Sequence, residues 1–162
     1  CVNDLLEHID RIEDNITEYD RILSRMAKTD HRSQRLMELK GIGPTTACAL
    51  VASIGNAHDF KNGRQLAAWL GLTPSQYSSG GKSKLGRITK AGDSYLRRLG
   101  VRGGRLVMIG AEKGSDLFRR WVCTLVERRG YWRAVVAIAA KNARLCWASL
   151  HYGDDFRLYS AS

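Results

Sequence analysis

Apolar residues recur at alternating intervals of three and four along the first part of the chain. They are Val2, Leu5, Ile9, Ile12, Ile16, Tyr19, Leu23 and Met26. Acidic residues and arginines fill many of the positions between them, a pattern typical of the apolar seam of a coiled coil. Because this seam is narrower than the apolar face of an ordinary globular helix, we expect residues 1–30 to form an intermolecular coiled coil. The protein would then be a homo-oligomer, a dimer or a tetramer. The alternative is a long helix folded back onto its own domain.

The remaining apolar positions predict six shorter helices. Their approximate limits are 31–40, 44–54, 60–70, 93–109, 116–127 and 132–150. Gly71 would end the third of these helices, and the Asp93 carboxylate would cap the fourth. No stretch of useful length alternates with a period of two, so the predicted fold class is all-α. A coiled-coil helix would precede a compact helical domain over 31–157, with a tail over 158–162.

A long segment between two of these helices is rich in Gly, Ser and Lys. We predict a loop from Thr73 to about Gly92, in which Ser78 and Ser79 precede a pair of glycines. Four cations follow, namely Lys82, Lys84, Arg87 and Lys90. Glycine lets backbone approach a phosphate closely, and a hydroxyl in such a setting can act as a nucleophile. We expect this loop to be mobile until phosphate arrives.

Two further segments suit phosphate contact. Gly41-Ile42-Gly43-Pro44 lies between two predicted helices and matches a helix-hairpin-helix element, in which Gly41 and Gly43 would bring backbone N–H groups to a phosphate. The alternative is an ordinary αα-hairpin with a glycine turn. The helix from Asp93 would carry Arg98, Arg102 and Arg105 on one face with Arg97 beside them. Its inward residues would be Leu96, Leu99 and Leu106, and its glycines Gly100, Gly103 and Gly104 would permit close approach of a helix or of nucleic acid.

Charge supports a polyanionic partner. The formal net charge is +10 over 162 residues, and residues 1–40 are slightly acidic whereas residues 41–162 are strongly basic. A basic body of this kind indicates nucleic acid as the partner. No apolar run is long enough to span a bilayer, so no membrane role is expected. The four cysteines, Cys1, Cys48, Cys123 and Cys146, are too dispersed for a zinc site; we expect Cys48 and Cys146 to be buried and the compartment to be reducing.

The loop could help to break a phosphodiester by either of two mechanisms, metal-activated water or a side-chain nucleophile. Residues 41–162 contain no clustered carboxylates, which makes a complete two-metal site improbable and leaves a serine nucleophile. The loop cations could stabilise the extra charge of a pentavalent transition state. No general base is evident, since the nearest histidine, His58, is about twenty residues away and is not favoured.

Several motifs together resemble the C-terminal domain of the Piv-like DEDD insertion-sequence transposases, which are bridge-RNA-guided recombinases. They are Gly41-Ile42-Gly43-Pro44, Gly71-Leu72-Thr73-Pro74, Ser78-Ser79-Gly80-Gly81-Lys82, the run 85–93, Leu96-Arg97-Arg98, Lys141-Asn142-Ala143-Arg144 and Gly153-Asp154-Asp155-Phe156. The resemblance covers about residues 35–157. It implies that Ser79 attacks DNA, with Ser78 as the fallback because the serine is doubled.

The same resemblance implies the partners and the cofactor. A RuvC-like domain with four acidic residues would bind Mg²⁺, and a bridge RNA would pair with donor and target DNA. A coiled coil would follow that domain, and an active site would combine the RuvC-like domain of one subunit with the serine of another. This chain has no RuvC-like domain, so we expect a fragment that holds no metal and is inactive alone. The protein would work in the bacterial cytoplasm, on the nucleoid.

Two other hypotheses stay open at this point. The first is a non-catalytic helix-hairpin-helix module that binds nucleic acid and oligomerises. It predicts strongly salt-dependent binding and no covalent adduct. The second is an oligomerisation scaffold whose basic face is merely solvated, and it predicts no binding to nucleic acid even at low salt.

Overall fold

The computed structural model of the protein describes residues 1–79, 82–111 and 117–157, and of residues 78, 79, 82–84, 111 and 117 it describes the backbone alone. This part of the chain is mostly helical, which confirms the predicted fold class. Its helices are α1 (Val2–Thr29), α2 (His31–Met37), α3 (Pro44–Ile54), α4 (Gly63–Trp69), α5 (Ser94–Ala111), α6 (Leu117–Arg129) and α7 (Tyr131–Tyr152). Two antiparallel strands, β1 (Pro74–Ser79) and β2 (Lys82–Ile88), lie between α4 and α5, and a 3-10 turn over Gly153–Asp155 follows α7.

Helix α7 is the central element of the domain, because α2, α4, α5 and α6 all pack against it. Its apolar face is wide, so it contributes to two cores. One core joins α7 to α2, α3 and α4, and its fully buried side chains include Leu36, Leu66 and Cys146. The other joins α7 to α5 and α6 around Val122 and Ile138. The predicted helical domain thus has one helix as its axis.

Helix α1 extends away from this domain over most of its length. Every residue from 1 to 22 is exposed, including Ile9, Ile12 and Ile16 of the predicted seam. Only the last two turns pack on α2 and α3, where Ala27 is buried and the Cys48 thiol donates to the Leu23 carbonyl at 3.6 Å. The chain therefore does not fold the seam from Val2 to Tyr19 back onto its own domain, and this part of the seam is exposed.

The predicted long loop is wrong in one respect. Most of the segment from Thr73 to Gly92 forms an antiparallel ribbon, in which β1 pairs with β2 and the register shifts between Pro74 and Gln76. The glycine pair that joins the strands, Gly80 and Gly81, lies outside the described residues. Both faces of the ribbon are rich in polar residues, so it lacks the apolar alternation by which a strand is usually recognised.

Helix α5 follows the ribbon and begins as predicted. The Asp93 carboxylate accepts a hydrogen bond from the Leu96 N–H at 2.8 Å, which confirms the cap. Leu96 is buried and Leu99 half-buried, but Leu106 is 64% exposed, so its predicted inward position is wrong. Other residues of α5, including Gly103 and Val107, take the inward positions. In the described part of the chain, no helix is both long and apolar enough to cross a membrane.

Candidate nucleic-acid interface

The ribbon is joined to the domain at its base by close backbone contacts. Gly92 has φ +95°, and a Cβ at this position would overlap the Trp69 carbonyl oxygen. Two backbone hydrogen bonds extend the pairing of the strands towards the domain. They run from the Thr89 N–H to the Thr73 carbonyl at 2.9 Å and from the Lys90 N–H to the Gly71 carbonyl at 3.2 Å. Only glycine suits position 92, which has a positive φ and no room for a side chain. This glycine therefore determines the point at which the ribbon joins the domain.

Arg97 holds the same base from the side of α5. One of its terminal nitrogens donates to the Leu70 carbonyl at 3.3 Å and to the Gly92 carbonyl at 3.5 Å. The side chain is half-buried, unlike that of its neighbour Arg98. Arg97 was predicted to contact nucleic acid, and that prediction stays untested. Its position gives it a structural task, which is to fix the ribbon against the first turn of α5.

The register of the ribbon divides its residues between two faces. Directly opposed residues lie on the same face, and successive residues alternate between faces. The pairs are Ser79 with Lys82, Ser78 with Ser83, Tyr77 with Lys84 and Gln76 with Leu85. One face therefore holds positions 77, 79, 82 and 84, and the other holds positions 76, 78, 83 and 85. The side chains of Ser78, Ser79, Lys82 and Lys84 lie outside the described part, so this assignment comes from the backbone register.

The ribbon extends from the domain without a helix along it in the described part of the chain. Tyr77 is 70% exposed and Leu85 is 66% exposed, one on each face. Two other predicted phosphate ligands, Arg87 and Lys90, are exposed near the base. Sequence reasoning did not single out Tyr77, although its place two residues before Ser79 would mark it as a same-face neighbour once a strand was assumed. The described side chains of the ribbon and its base thus present an aromatic ring, an aliphatic side chain and two cations to the exterior.

An arginine face on α5 continues this surface. Arg98, Arg102 and Arg105 are all exposed, as the helical spacing predicts. The Arg105 guanidinium carbon lies 5.7 Å from the centre of the Trp132 ring, a distance typical of a cation–π contact. Since α5 begins two residues after Gly92, these arginines lie on the helix that directly follows the ribbon.

A turn joins α2 to α3 at the position where a helix-hairpin-helix element was predicted, and Pro44 lies in the first turn of α3. Its two glycines have different surroundings. Gly41 has φ +86°, and a Cβ there would lie 2.6 Å from the Gly103 carbonyl oxygen of α5. Gly43 is exposed, has an ordinary φ of −97° and precedes the first amides of α3. The need for glycine at 41 is thus explained by packing, whereas Gly43 is exposed and its contact with a phosphate stays a prediction.

The possible metal ligands and general bases of the domain are its His, Cys, Asp and Glu side chains. In the described ranges, no group of three or more His, Cys, Asp and Glu side chains is placed to hold a metal ion. The His58 ring contacts the His151 ring edge-on at 4.9 Å, and His151 stacks on Trp147. Burial raises the pKa of the Cys146 thiol to about 12, so this cysteine is protonated at neutral pH. Cys146 is buried as predicted, and Cys48 is half-buried.

Comparison with known proteins identifies a family that this chain resembles in sequence. Residues 33–118 match the model of the Transposase IS116/IS110/IS902 family. A probable family 20 transposase of Pseudomonas aeruginosa is 42% identical over 96% of this chain and 46% of its own length. The transposase for insertion sequence element IS1111A of Coxiella burnetii is 39% identical over 90% of this chain and 40% of its own length.

A more distant relative has another kind of name. The pilin gene-inverting protein of Moraxella bovis is 30% identical over 46% of this chain and 24% of its own length. The chain therefore spans less than half the length of the curated relatives described here. Because the family model covers more than half of this chain, the chain belongs to the IS116/IS110/IS902 transposase family.

Proposed function

We propose that this chain carries the nucleophile of a DNA transposase, and that the nucleophile is the hydroxyl of Ser79 at the end of strand β1. The observation that supports Ser79 over Ser78 is the register of the ribbon. It pairs Ser79 with Lys82 and puts Lys84 on the same face, whereas it pairs Ser78 with Ser83 on the other face. A scissile phosphate on the face of Ser79 would lie beside the two lysine positions, whereas the neighbours of Ser78 on its own face are Gln76, Ser83 and Leu85.

The proposed step is a transesterification. The Ser79 oxygen forms a bond to the scissile phosphorus while the bond from that phosphorus to a deoxyribose oxygen breaks. A water molecule takes the serine proton, and the leaving oxygen receives a proton from water, so nothing is oxidised or reduced. Strand exchange is the reverse step, in which a hydroxyl of another DNA end attacks the phosphoserine and restores the serine.

The lysines on the same face would lower the barrier to this step. The transition state carries more negative charge on its equatorial oxygens than the diester does, so cations placed there beforehand stabilise it selectively. Removal of one such donor costs about 100- to 1,000-fold in rate in well-studied acyl-transfer enzymes. Arg87 and the α5 arginines lie further along the ribbon and α5, where they would hold the DNA rather than the reacting group.

The partners follow from the same proposal. The names of the relatives, transposases and a pilin gene-inverting protein, support donor and target DNA as substrates. A bridge RNA would choose the sequences by base pairing, and α1 would join subunits through its exposed seam. The protein would act in the bacterial cytoplasm, on the nucleoid. The Mg²⁺ that the resemblance implies would belong to a RuvC-like domain; the described residues offer no carboxylate cluster for it, and no step here runs through a metal.

A chimera tests the nucleophile. The matching segment of the Pseudomonas aeruginosa relative is replaced by this chain, and the chimera is expressed with that relative's own insertion sequence on a plasmid. Covalent protein–DNA adducts are trapped with detergent, digested with nuclease and located by mass spectrometry. We expect the adduct on Ser79, its loss in Ser79→Ala and its retention in the matched control Ser78→Ala. An adduct on Ser78 would reject the register argument. Normal recombination by both variants would reject the serine mechanism.

A second candidate function is a non-catalytic module that clamps nucleic acid. The exposure of Gly43 and of the α5 arginines favours it, because these features need no reacting group. This hypothesis predicts duplex binding with a steep salt dependence. It also predicts no adduct in the chimera while the unmodified relative forms one, an outcome that would decide in its favour.

A further inference from the structure

Two lysines that the proposed function does not use rest on a pair of aromatic rings at the start of α6. The Lys141 ammonium lies 4.4 Å from the centre of the Trp121 ring and 5.0 Å from that of Phe118. The Lys40 ammonium lies 5.7 Å from the centre of the same Phe118 ring. Both lysines therefore carry their charges to one ring, and we call these four residues the ring–lysine surface.

The backbone that carries this surface is fixed from within the domain. Asn142 is buried, and its side-chain amide donates to the Lys40 carbonyl at 2.9 Å. This hydrogen bond joins the end of α2 to the middle of α7, and thereby brings residues 40 and 141 together. Lys40 directly precedes Gly41 in the turn between α2 and α3.

Among the described residues, Lys141 makes cation–π contacts with two aromatic rings. The side chain is half-buried, and in the described part of the chain no carboxylate lies within ion-pair distance of it. Contact with an aromatic face stabilises an ammonium by about 0.5–2 kcal/mol. Partial burial removes water from the same charge, which costs free energy. An external anion would therefore meet a cation that is already partly desolvated and is held against two rings.

We propose that the ring–lysine surface binds the phosphate backbone of a nucleic-acid duplex. It would act as a clamp separate from the ribbon. The inference rests on the proposed function for the kind of partner, and it adds a second binding surface to it. Contacts of this kind fix the position of a duplex without reading its sequence, so we expect binding to any duplex.

The salt dependence of binding tests this proposal on the chain itself. Binding to a fluorescent 20-base-pair DNA duplex of arbitrary sequence is followed by anisotropy from 50 to 200 mM KCl. Loss of one phosphate contact lowers the magnitude of the log–log slope by about 0.9. We expect this decrease for Lys141→Gln, a smaller loss of affinity for Lys141→Arg with an unchanged slope, and no change for the control Lys28→Gln, which removes an exposed lysine from the end of α1.

A second variant guards against a merely structural effect. Lys40 is exposed, so Lys40→Gln should fold, and its slope should fall as that of Lys141→Gln does. Thermal unfolding of each variant is measured in parallel. Slopes equal to wild type in folded Lys40→Gln would overturn the proposal, as would equally tight binding of wild type to polyglutamate, which would indicate an acidic protein as the partner. This experiment and the adduct experiment test different proposals. An adduct on Ser79 with unchanged slopes would overturn only the ring–lysine surface, and lowered slopes without an adduct would overturn only the nucleophile.

Discussion

The backbone of Gly103 in α5 lies directly against the backbone of Gly41 in the turn before α3. A Cβ on either residue would overlap a carbonyl oxygen of the other, and neither backbone can rotate away as a side chain could. This contact brings α5, with its arginine face, against the turn between α2 and α3. It also confirms that a glycine of α5 permits close approach of another part of the chain.

Substitution of Gly103 should therefore destabilise the fold. We expect Gly103→Ala to cost about 1–3 kcal/mol through overpacking. Gly100 is the matched control, because it lies in the same helix and a Cβ there would meet nothing within 4 Å. Gly100→Ala should stabilise the protein by up to about 1 kcal/mol through helix propensity. Urea unfolding measures both, and changes of the same sign would contradict the contact.

The Asp30 carboxylate caps α2 and should make stability depend on acid pH. Burial raises the pKa of this carboxyl, but hydrogen bonds from Arg32 and Ser33 and the charge of Arg32 lower it further, so its net pKa is below the ordinary value. The stabilisation is therefore present above the pKa of the unfolded chain and is lost as pH falls through the folded pKa. We expect Asp30→Ala to cost about 1 kcal/mol at pH 7.

Asp30→Asn separates the charge from the cap, since asparagine caps helices equally well. The free energy of unfolding is measured for wild type and Asp30→Asn at pH 7 and pH 3. The advantage of wild type should shrink at pH 3. An advantage that grows on acidification would show that the carboxyl is not held in its charged form.

Cys146 should be the unreactive thiol of this protein. Its pKa is raised to about 12 by burial, whereas an unfolded thiol titrates near ~8.5. Since the thiolate is the reacting form, an aromatic disulfide reagent at pH 8 should label the exposed Cys1 and Cys123 and leave Cys146 until the protein unfolds. Mass spectrometry of the labelled peptides tests this, and rapid native labelling of Cys146 would contradict its burial.

The same thiol predicts the alkaline side of the stability profile. Above about pH 8.5 the unfolded chain loses this proton while the folded chain keeps it up to about pH 12, so stability should fall with rising pH in that window. Cys146→Ala removes this contribution. The unfolding free energy of the variant should therefore decline less than that of wild type between pH 7.5 and pH 9.5.

The exposed seam of α1 predicts self-association. Ile12→Asp introduces a charge into the apolar seam and should weaken association by about thirtyfold or more, because burial of an aliphatic side chain contributes about 2 kcal/mol. The domain should still fold, since Ile12 contacts none of it in the described structure. Glu13→Gln, one position away and outside the seam, is the control. Sedimentation equilibrium decides, and a wild-type monomer at high concentration would reject the coiled coil.

Much of the helical framework could be predicted because its signals are local. The heptad spacing gave α1, Asp93 gave the start of α5, and Gly71 gave the end of α4. The cap at Asp93 and the helix end at Gly71 each depend on one residue and on partners a few positions away. The heptad spacing is likewise read from neighbouring positions along the chain. These features need no knowledge of the tertiary structure.

The ribbon was missed because its stability does not come from a buried apolar face. Ser, Gln and Lys occupy many positions on both sides, so the alternation that identifies a strand is absent. The available signal was the pair Gly80-Gly81 between two short segments, since two glycines are among the preferred connections of a hairpin. That signal also indicates the register, and the register is what assigns Ser79 and Ser78 to different faces.

Contacts between distant residues lay outside any local pattern. Nothing near Lys141 in the sequence indicates that its ammonium lies on Trp121, or that Asn142 holds the carbonyl of Lys40. The exposure of Leu106 has the same origin, because the approach of the turn to Gly103 decides which side of α5 is inward. The exposed arginines of the candidate surface could thus be predicted from helical spacing, whereas its contacts between lysines and aromatic rings could not.

The ribbon is attached to the domain at its base, so a small rotation there produces a larger displacement at its far end. Six residues of β1 span about 20 Å at ~3.3 Å per residue. A rotation of about 10° at Gly92 and Arg97 would then move the far end by about 3 Å, whereas a misplacement of ~1 Å can cost about 100-fold in rate. The accuracy of the attack proposed for Ser79 would therefore depend on the packing of Gly92 and Arg97, at a distance from the phosphate itself.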